Sequence, residues 1–182
     1  MELRRVLAQL AKINEYACES ARKFAGLLLI AMLVVVILQI VFRYVLNDSL
    51  IWTEELAKTM MVWTALLVAP WAYRAGANIR IELFVNEMPR TFRKSLELLL
   101  NLLVLWIVIV FLHESLGFWQ RGLTVRADSL PIQVAWFYTV IPLALSLLLL
   151  VGAEQVLRNV LALKYPDEDF ELSNLDDVYE FE

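Results

Sequence analysis

One cysteine and one histidine in 182 residues exclude whole classes of chemistry. A bis-histidine haem needs two axial ligands, and His113 cannot supply both. A quinone-linked thiol oxidase needs a cysteine pair, and Cys18 has no partner in its own chain. Basic residues are missing from one end, where Asp167 to Glu182 carries eight acids and no Lys or Arg. The formal net charge of −4 therefore hides a remainder that is net basic, with sixteen Lys and Arg against twelve Asp and Glu. The acidic end, in a segment 161–182, reads as a solvated tail, partner docking being the less common role of such charge runs. Nothing in the charge pattern suggests nucleic acid.

Apolar surface is what the chain has in excess. At 60% hydrophobic and 20% charged residues, with a mean hydropathy of +0.64, a soluble domain of this size would expose large sticky patches. The length fits one domain. Residues 24–42, FAGLLLIAMLVVVILQIVF, hold no charge over 19 positions. That is about 28 Å of helix, enough to cross a bilayer core. Runs at 59–73, 98–113 and 133–153 predict three more crossings, the second extending back through Leu50 to Lys58 at head-group level. The fold expected is an all-α integral membrane protein with four transmembrane helices over residues 24–160. A secretory signal peptide fits the first run poorly, because the run is long for one and no small-residue cleavage site follows.

Lys and Arg set the orientation, since they are retained on the cytoplasmic side. They number five before the first run, then two, five and two in the successive links. This places both termini in the cytoplasm. Residues 1–23 carry Leu3, Val6, Leu7, Leu10 and Ala17 near helical spacing, with the basic residues off that face. They predict an amphipathic helix along the inner membrane surface. The link after Gly76, ANIRIELFVNEMP, mixes apolar and charged residues and predicts a second interfacial stretch, with Pro89 in the first turn of the third helix. No internal repeat is present.

On this topology Arg43 closes the first helix on the outer side, and Glu54 and Glu55 open the second after a turn that contains Asn47, Asp48 and Ser49. A helix N-terminus favours negative charge by roughly 0.3–1 kcal/mol. Glu54 and Lys58 have the favourable i, i+4 order, worth about 0.2–0.5 kcal/mol when exposed. Interfacial placement around a Trp52 anchor would explain each charge singly. Two adjacent acids ask for more, because they point about 100° apart on a helix. One is expected to pair with Lys58 and the other with Arg43, as a clasp between the first two helices. Na⁺ binding or proton relay is the alternative for such a pair, but these acids sit at an entrance, and no other acid lies inside an apolar run.

The mid-span polar residues Gln39, Thr64, Asn101 and Ser146 are of the kind that cross-link helices more often than they bind solutes. A transporter acting alone would show a midplane site with broken helices or buried charge. The chain reads as a scaffold instead. Ala65, Ala69, Ala72 and Gly76 form a small-residue stripe that predicts close packing against a sibling helix or a partner. Pro70 predicts a kink. Trp63 and Trp106 fall mid-span, unlike Trp52, Trp119 and Trp136, and are explained by packing against protein or bound lipid, or by core filling. His113, beside Glu114, is expected at an interface.

Five stretches in order, FRYV, WTEELAK, YRAGANIRIELF, MPR and LPIQVAWFYTVIP, together resemble the small (Q-type) membrane subunit of TRAP transporters, the tripartite ATP-independent periplasmic type. The resemblance covers residues 24 to 160. It implies a multi-pass protein of the bacterial inner membrane, no cofactor, a large multi-span partner subunit that carries solute and sodium, and a periplasmic solute-binding protein. The solute implied is an organic acid or related small molecule. Arg43, Trp52, Glu54 and Glu55 match the family's outer motif, and Arg74, Gly76 and Ile79 its inner motif. Asn78 stands where the family often has His, which keeps a hydrogen-bonding side chain and loses a titratable one.

The function expected is a non-catalytic scaffold for the large subunit, in contact with membrane lipids. A self-sufficient homo-oligomeric exporter is the alternative, but such exporters place an essential acid in an early span, and residues 24–42 contain none. A membrane enzyme would need a nucleophile, metal ligands or a haem pair, and no such set is present.

Overall fold

A computed structural model of the chain describes residues 2–48, 50–85, 90–127, 129 and 131–164. It is all-α: α1 (Glu2–Tyr44), α2 (Ile51–Val85), α3 (Arg90–Gly122), a single turn α4 (Ala135–Tyr138) and α5 (Val140–Lys164). Thr139 keeps helical dihedrals (φ −58°, ψ −29°), so α4 and α5 follow one path. The interruption has a cause in Pro142, which lacks the N–H that would bond to the Tyr138 carbonyl. Among the described residues three stretches are long and apolar enough to cross a membrane: Arg5–Tyr44, Ser95–Gly122 and Ala135–Leu163. Helix α2 has the length, but Thr59, Thr64, Pro70, Trp63, Trp71 and Tyr73 dilute its apolar run.

No break in the helix falls near residue 23, where the amphipathic segment is expected to end. Helix α1 runs unbroken from Glu2 to Tyr44 over 43 residues, about 64 Å at the α-helical rise. No proline interrupts it, and an ion pair between Lys23 and Glu19 (2.7 Å) supports the helical turn just before the expected boundary. One buried stripe, Leu7, Asn14, Cys18, Ala21 and Ala25, runs through it at steps of 7, 4, 3 and 4. That is the spacing of a seam between two helices packed at a shallow angle. The N-terminal segment thus packs on α2 and α5 in continuity with the first apolar run. Helix α2 likewise continues to Val85 through the link expected to be interfacial. The acidic segment 165–182 and Pro89 lie outside the described residues.

Helix α1 packs on α2, and α3 on α5, while contacts of α5 with α1 and α2 join the pairs. Ala21 and Ala25 of α1, Leu67 of α2 and Val140 of α5 form a common core, with Leu28, Trp63 and Leu147 around it. The polarity of the bundle is inverted relative to a soluble protein. Asn14, Thr53, Asn101, Glu154, Gln155 and Asn159 are buried, while Leu27, Ile30, Val34 and Ile37 of α1 and Leu103, Trp106 and Phe111 of α3 are exposed. Such surfaces need lipid or another membrane protein against them.

Of the mid-span polar residues, Asn101 does cross-link helices, accepting a hydrogen bond from the Tyr73 hydroxyl at 2.6 Å. Thr64 and Ser146 instead donate to carbonyls of their own helices, those of Met60 (2.8 Å) and Pro142 (2.6 Å). Helices α3 and α4 meet at Gly122, where a Cβ would lie 3.0 Å from the Ala135 backbone. Gly122→Ala is expected to lower stability by about 1–3 kcal/mol, the usual cost of overpacking. Gly26→Ala, with nothing within 4 Å of its added methyl, should gain up to about 1 kcal/mol from helix propensity. Thermal unfolding in mild detergent compares the two; equal melting temperatures would contradict the close approach at Gly122.

Candidate functional site: polar clasps at the two ends of the bundle

Two groups of polar side chains hold the bundle at its ends, and both involve α2. At the end that holds the start of α2, Glu54 pairs with Lys58 at 2.6 Å, on a surface where both side chains are largely exposed. This is the i, i+4 pair expected from the spacing. The Lys58 ammonium, through its hydrogen bond and then its charge, holds the Glu54 carboxyl below the usual carboxylate range. Glu55 points elsewhere. Its Oε2 accepts a hydrogen bond from the Ser129 backbone N–H at 3.1 Å and another from the Ser129 hydroxyl.

Ser129 lies in the link between α3 and α4, which folds back on itself. Arg126 and Gln133 form an antiparallel bridge, with bonds from Ala127 N to Ile132 O and from Val134 N to Val125 O, both 3.0 Å. Glu55 therefore fastens this small hairpin onto the start of α2. Arg43 does not share in it: among the described residues it makes no ion pair with Glu55, and its guanidinium lies 5.8 Å from the Tyr44 ring centroid. The clasp expected between α1 and α2 thus runs from α2 to the hairpin. The chain leaves α1 through Asn47 at φ 55°, a left-handed position that Asn tolerates. Trp52 sits on the rim at 37% exposure. Trp63 is tied inward, its indole N–H donating to the Phe137 carbonyl at 3.0 Å.

At the opposite end the centre is Glu154, fully buried and contacted from α1, α2 and its own helix α5. Its Oε2 accepts from Asn14 Nδ2 of α1 at 2.8 Å. Its Oε1 accepts from Arg158 Nε at 3.0 Å and Nη2 at 2.6 Å, one turn along α5. Arg74 of α2 approaches with Nη2 3.4 Å from Oε1 and Nε 3.4 Å from Oε2, the latter at ion-pair distance without hydrogen-bond geometry. Backbone carbonyls complete the set. Arg74 Nη2 reaches Ala11 O at 3.3 Å, Asn14 Nδ2 reaches Leu150 O at 3.1 Å, and Gln155 Nε2 reaches Arg74 O at 3.5 Å.

Of the residues singled out from the sequence, Arg74 belongs to this second clasp, whereas Glu154, Asn14 and Arg158 are not among those residues. The available signal was an acid directly after an uncharged run with Arg four residues on. Ala65, Ala69 and Ala72 lie exposed along one face of α2. The side chains of Gly76, Asn78 and Ile79 lie outside the described residues. Among the described residues no group of three His, Cys, Asp or Glu side chains is disposed to hold a metal.

Residues 32–162 match the family model of the DctQ component of tripartite ATP-independent periplasmic transporters. The chain belongs to this family. It is a multi-pass protein of the inner membrane. It is 31% identical over 118 residues to the sialic acid TRAP transporter permease protein SiaT of Haemophilus influenzae, covering 64% of this chain and 19% of that one. The isethionate TRAP transporter permease protein DctMQ of Oleidesulfovibrio alaskensis is 25% identical over 132 residues, 68% of this chain and 20% of its own. The sialic acid TRAP transporter small permease protein SiaQ of Vibrio cholerae is 29% identical over 115 residues, 63% of this chain and 66% of its own. The chain thus spans about a fifth of the first two relatives and about two thirds of the third.

Proposed function

We propose that the chain is the non-catalytic small membrane subunit of a sodium-coupled TRAP transporter, a fixed scaffold for the large transport subunit that carries the solute. The observation that carries this reading is how the polar groups are used. Glu154, Arg74 and Asn14 bind one another, Glu55 binds the hairpin, and Asn101 binds Tyr73. These groups are committed to holding helices together. The matches to SiaT and DctMQ, each covering about a fifth of a longer permease, support a larger protein alongside this one. Those two names specify sialic acid and isethionate, which fits a subunit that leaves the choice of solute to other chains.

In this reading α2 is the fourth span and both termini are cytoplasmic. Helix α2 runs beside α5 from the Glu55 end, where Trp63 meets Phe137, to the Glu154 end, where Arg74 meets α5. If α1 and α3 both cross outward, the chain must return between them, and α2 is the return. The exposed Ala65, Ala69 and Ala72 face suits close approach by a helix of the large subunit, and the outer hairpin is available to a periplasmic solute-binding protein.

Purification from the native membrane through a C-terminal tag should recover a multi-span protein in stoichiometric amount, and Ala69→Phe should lose it without changing the melting temperature of the isolated chain. The isolated chain in liposomes should not transport. Solute flux by the chain alone, or recovery of a homo-oligomer with no larger partner, would replace the scaffold reading with that of a self-sufficient exporter.

A further inference from the structure

Beside Glu55, between α2 and the stretch from Val125 to Ile141, lies a cavity of about 440 Å³, within the roughly 300–1,000 Å³ range of small-molecule sites. Its lining divides by polarity. Glu55, Lys58 and Arg126 supply charge, while Val62, Trp63 and Ile141 contribute apolar wall. Val62 and Val125 of the lining are 46% and 52% exposed, so the cavity is open at the surface. A ligand matched to it carries charge at one end and hydrocarbon at the other.

The charges narrow the class further. Of the three charged lining residues, Lys58 is already paired with Glu54 outside the cavity, which leaves the acid Glu55 facing the base Arg126, and Lys58 and Arg126 retain N–H donors for a phosphate. The Oε1 atom of Glu55 has no hydrogen-bond partner among the described residues, its Oε2 being taken by Ser129. A head group with both phosphate and ammonium complements such a rim better than an anionic one. We infer that this cavity binds a zwitterionic phospholipid of the outer leaflet, phosphate on Lys58 and Arg126, ammonium on Glu55, and an acyl chain along Val62, Trp63 and Ile141. Trp63 shapes the apolar end because its bond to the Phe137 carbonyl fixes the indole. The inference rests on α2 crossing the membrane with its Glu55 end outward, as proposed above, and is independent of the scaffold role.

The test is native mass spectrometry of the full chain released from nanodiscs that contain equal phosphatidylethanolamine and phosphatidylglycerol. One phosphatidylethanolamine should stay bound at collision energies that strip the remaining lipid. Arg126→Gln should reduce its retention by about tenfold, the loss of one charge-assisted contact. Val62→Trp, which fills the cavity from an exposed position, should remove the lipid while leaving the melting temperature unchanged. No retained lipid, equal retention of phosphatidylglycerol, or unaltered retention in both variants would overturn the site. Displacement by soluble glycerophosphoethanolamine would overturn the lipid as its source, since a free head group would then suffice.

Discussion

Glu154→Leu is expected to destabilise the bundle by about 3–5 kcal/mol, the usual cost of removing one partner from a buried ion cluster. The carboxylate serves two guanidiniums whose side chains are only 13% and 15% exposed, Arg74 and Arg158. Leucine would take the carboxylate away from both guanidiniums and would deprive Asn14 of its Glu154 acceptor. Because α1, α2 and α5 meet there, the damage should be global rather than a frayed end. Glu154→Gln keeps an oxygen for Asn14 and should cost less, and Arg158→Leu less again, since Arg74 remains to balance the carboxylate. Glu114→Leu, at an exposed acid beside His113, serves as the control and should be near neutral. Unfolding followed by tryptophan fluorescence in mild detergent reads all four. Parent-like unfolding of Glu154→Leu would mean that the Glu154 clasp does not hold the helices together.

The contrast between the two clasps shows what a sequence exposes. Glu54 and Lys58 form their expected pair because a four-residue spacing on a helix brings side chains together whatever the tertiary fold. Uncharged runs revealed the membrane character for a similar reason, since the bilayer tests each segment on its own length and polarity. Glu154 was hidden because its partners Asn14 and Arg74 lie 140 and 80 residues away, so only packing brings them together. The α1 stripe was hidden because it includes Asn14 and Cys18 among small residues. A search for hydrophobic spacing favours Val6 instead, which is 47% exposed. The pairing of Arg43 with Glu55 relied on depth alone. Two residues at one depth still need the same direction around their helices, and Glu55 faces the hairpin.

That difference in direction predicts the outcome of paired double-mutant cycles. Glu55→Ala with Arg43→Ala should be additive, because no ion pair joins them and Arg43 lies against its own neighbour Tyr44. Glu55→Ala with Ser129→Ala should be strongly non-additive, since either change breaks the hydroxyl bond to the carboxylate. Hydrogen bonds to charged groups contribute about 1.5–3 kcal/mol each. The Glu55→Ala change also releases the Ser129 backbone N–H, so it should be the more damaging single variant. The loss should be local, because the hairpin is held within itself by the Ala127–Ile132 and Val134–Val125 bonds and would detach from α2 as a unit. Hydrogen exchange is therefore the appropriate measurement: faster exchange in peptides covering residues 123–134, with the α1–α2 core unchanged. A coupling energy between Arg43 and Glu55 larger than that between Glu55 and Ser129 would restore the α1–α2 clasp and remove the hairpin from the role assigned to it.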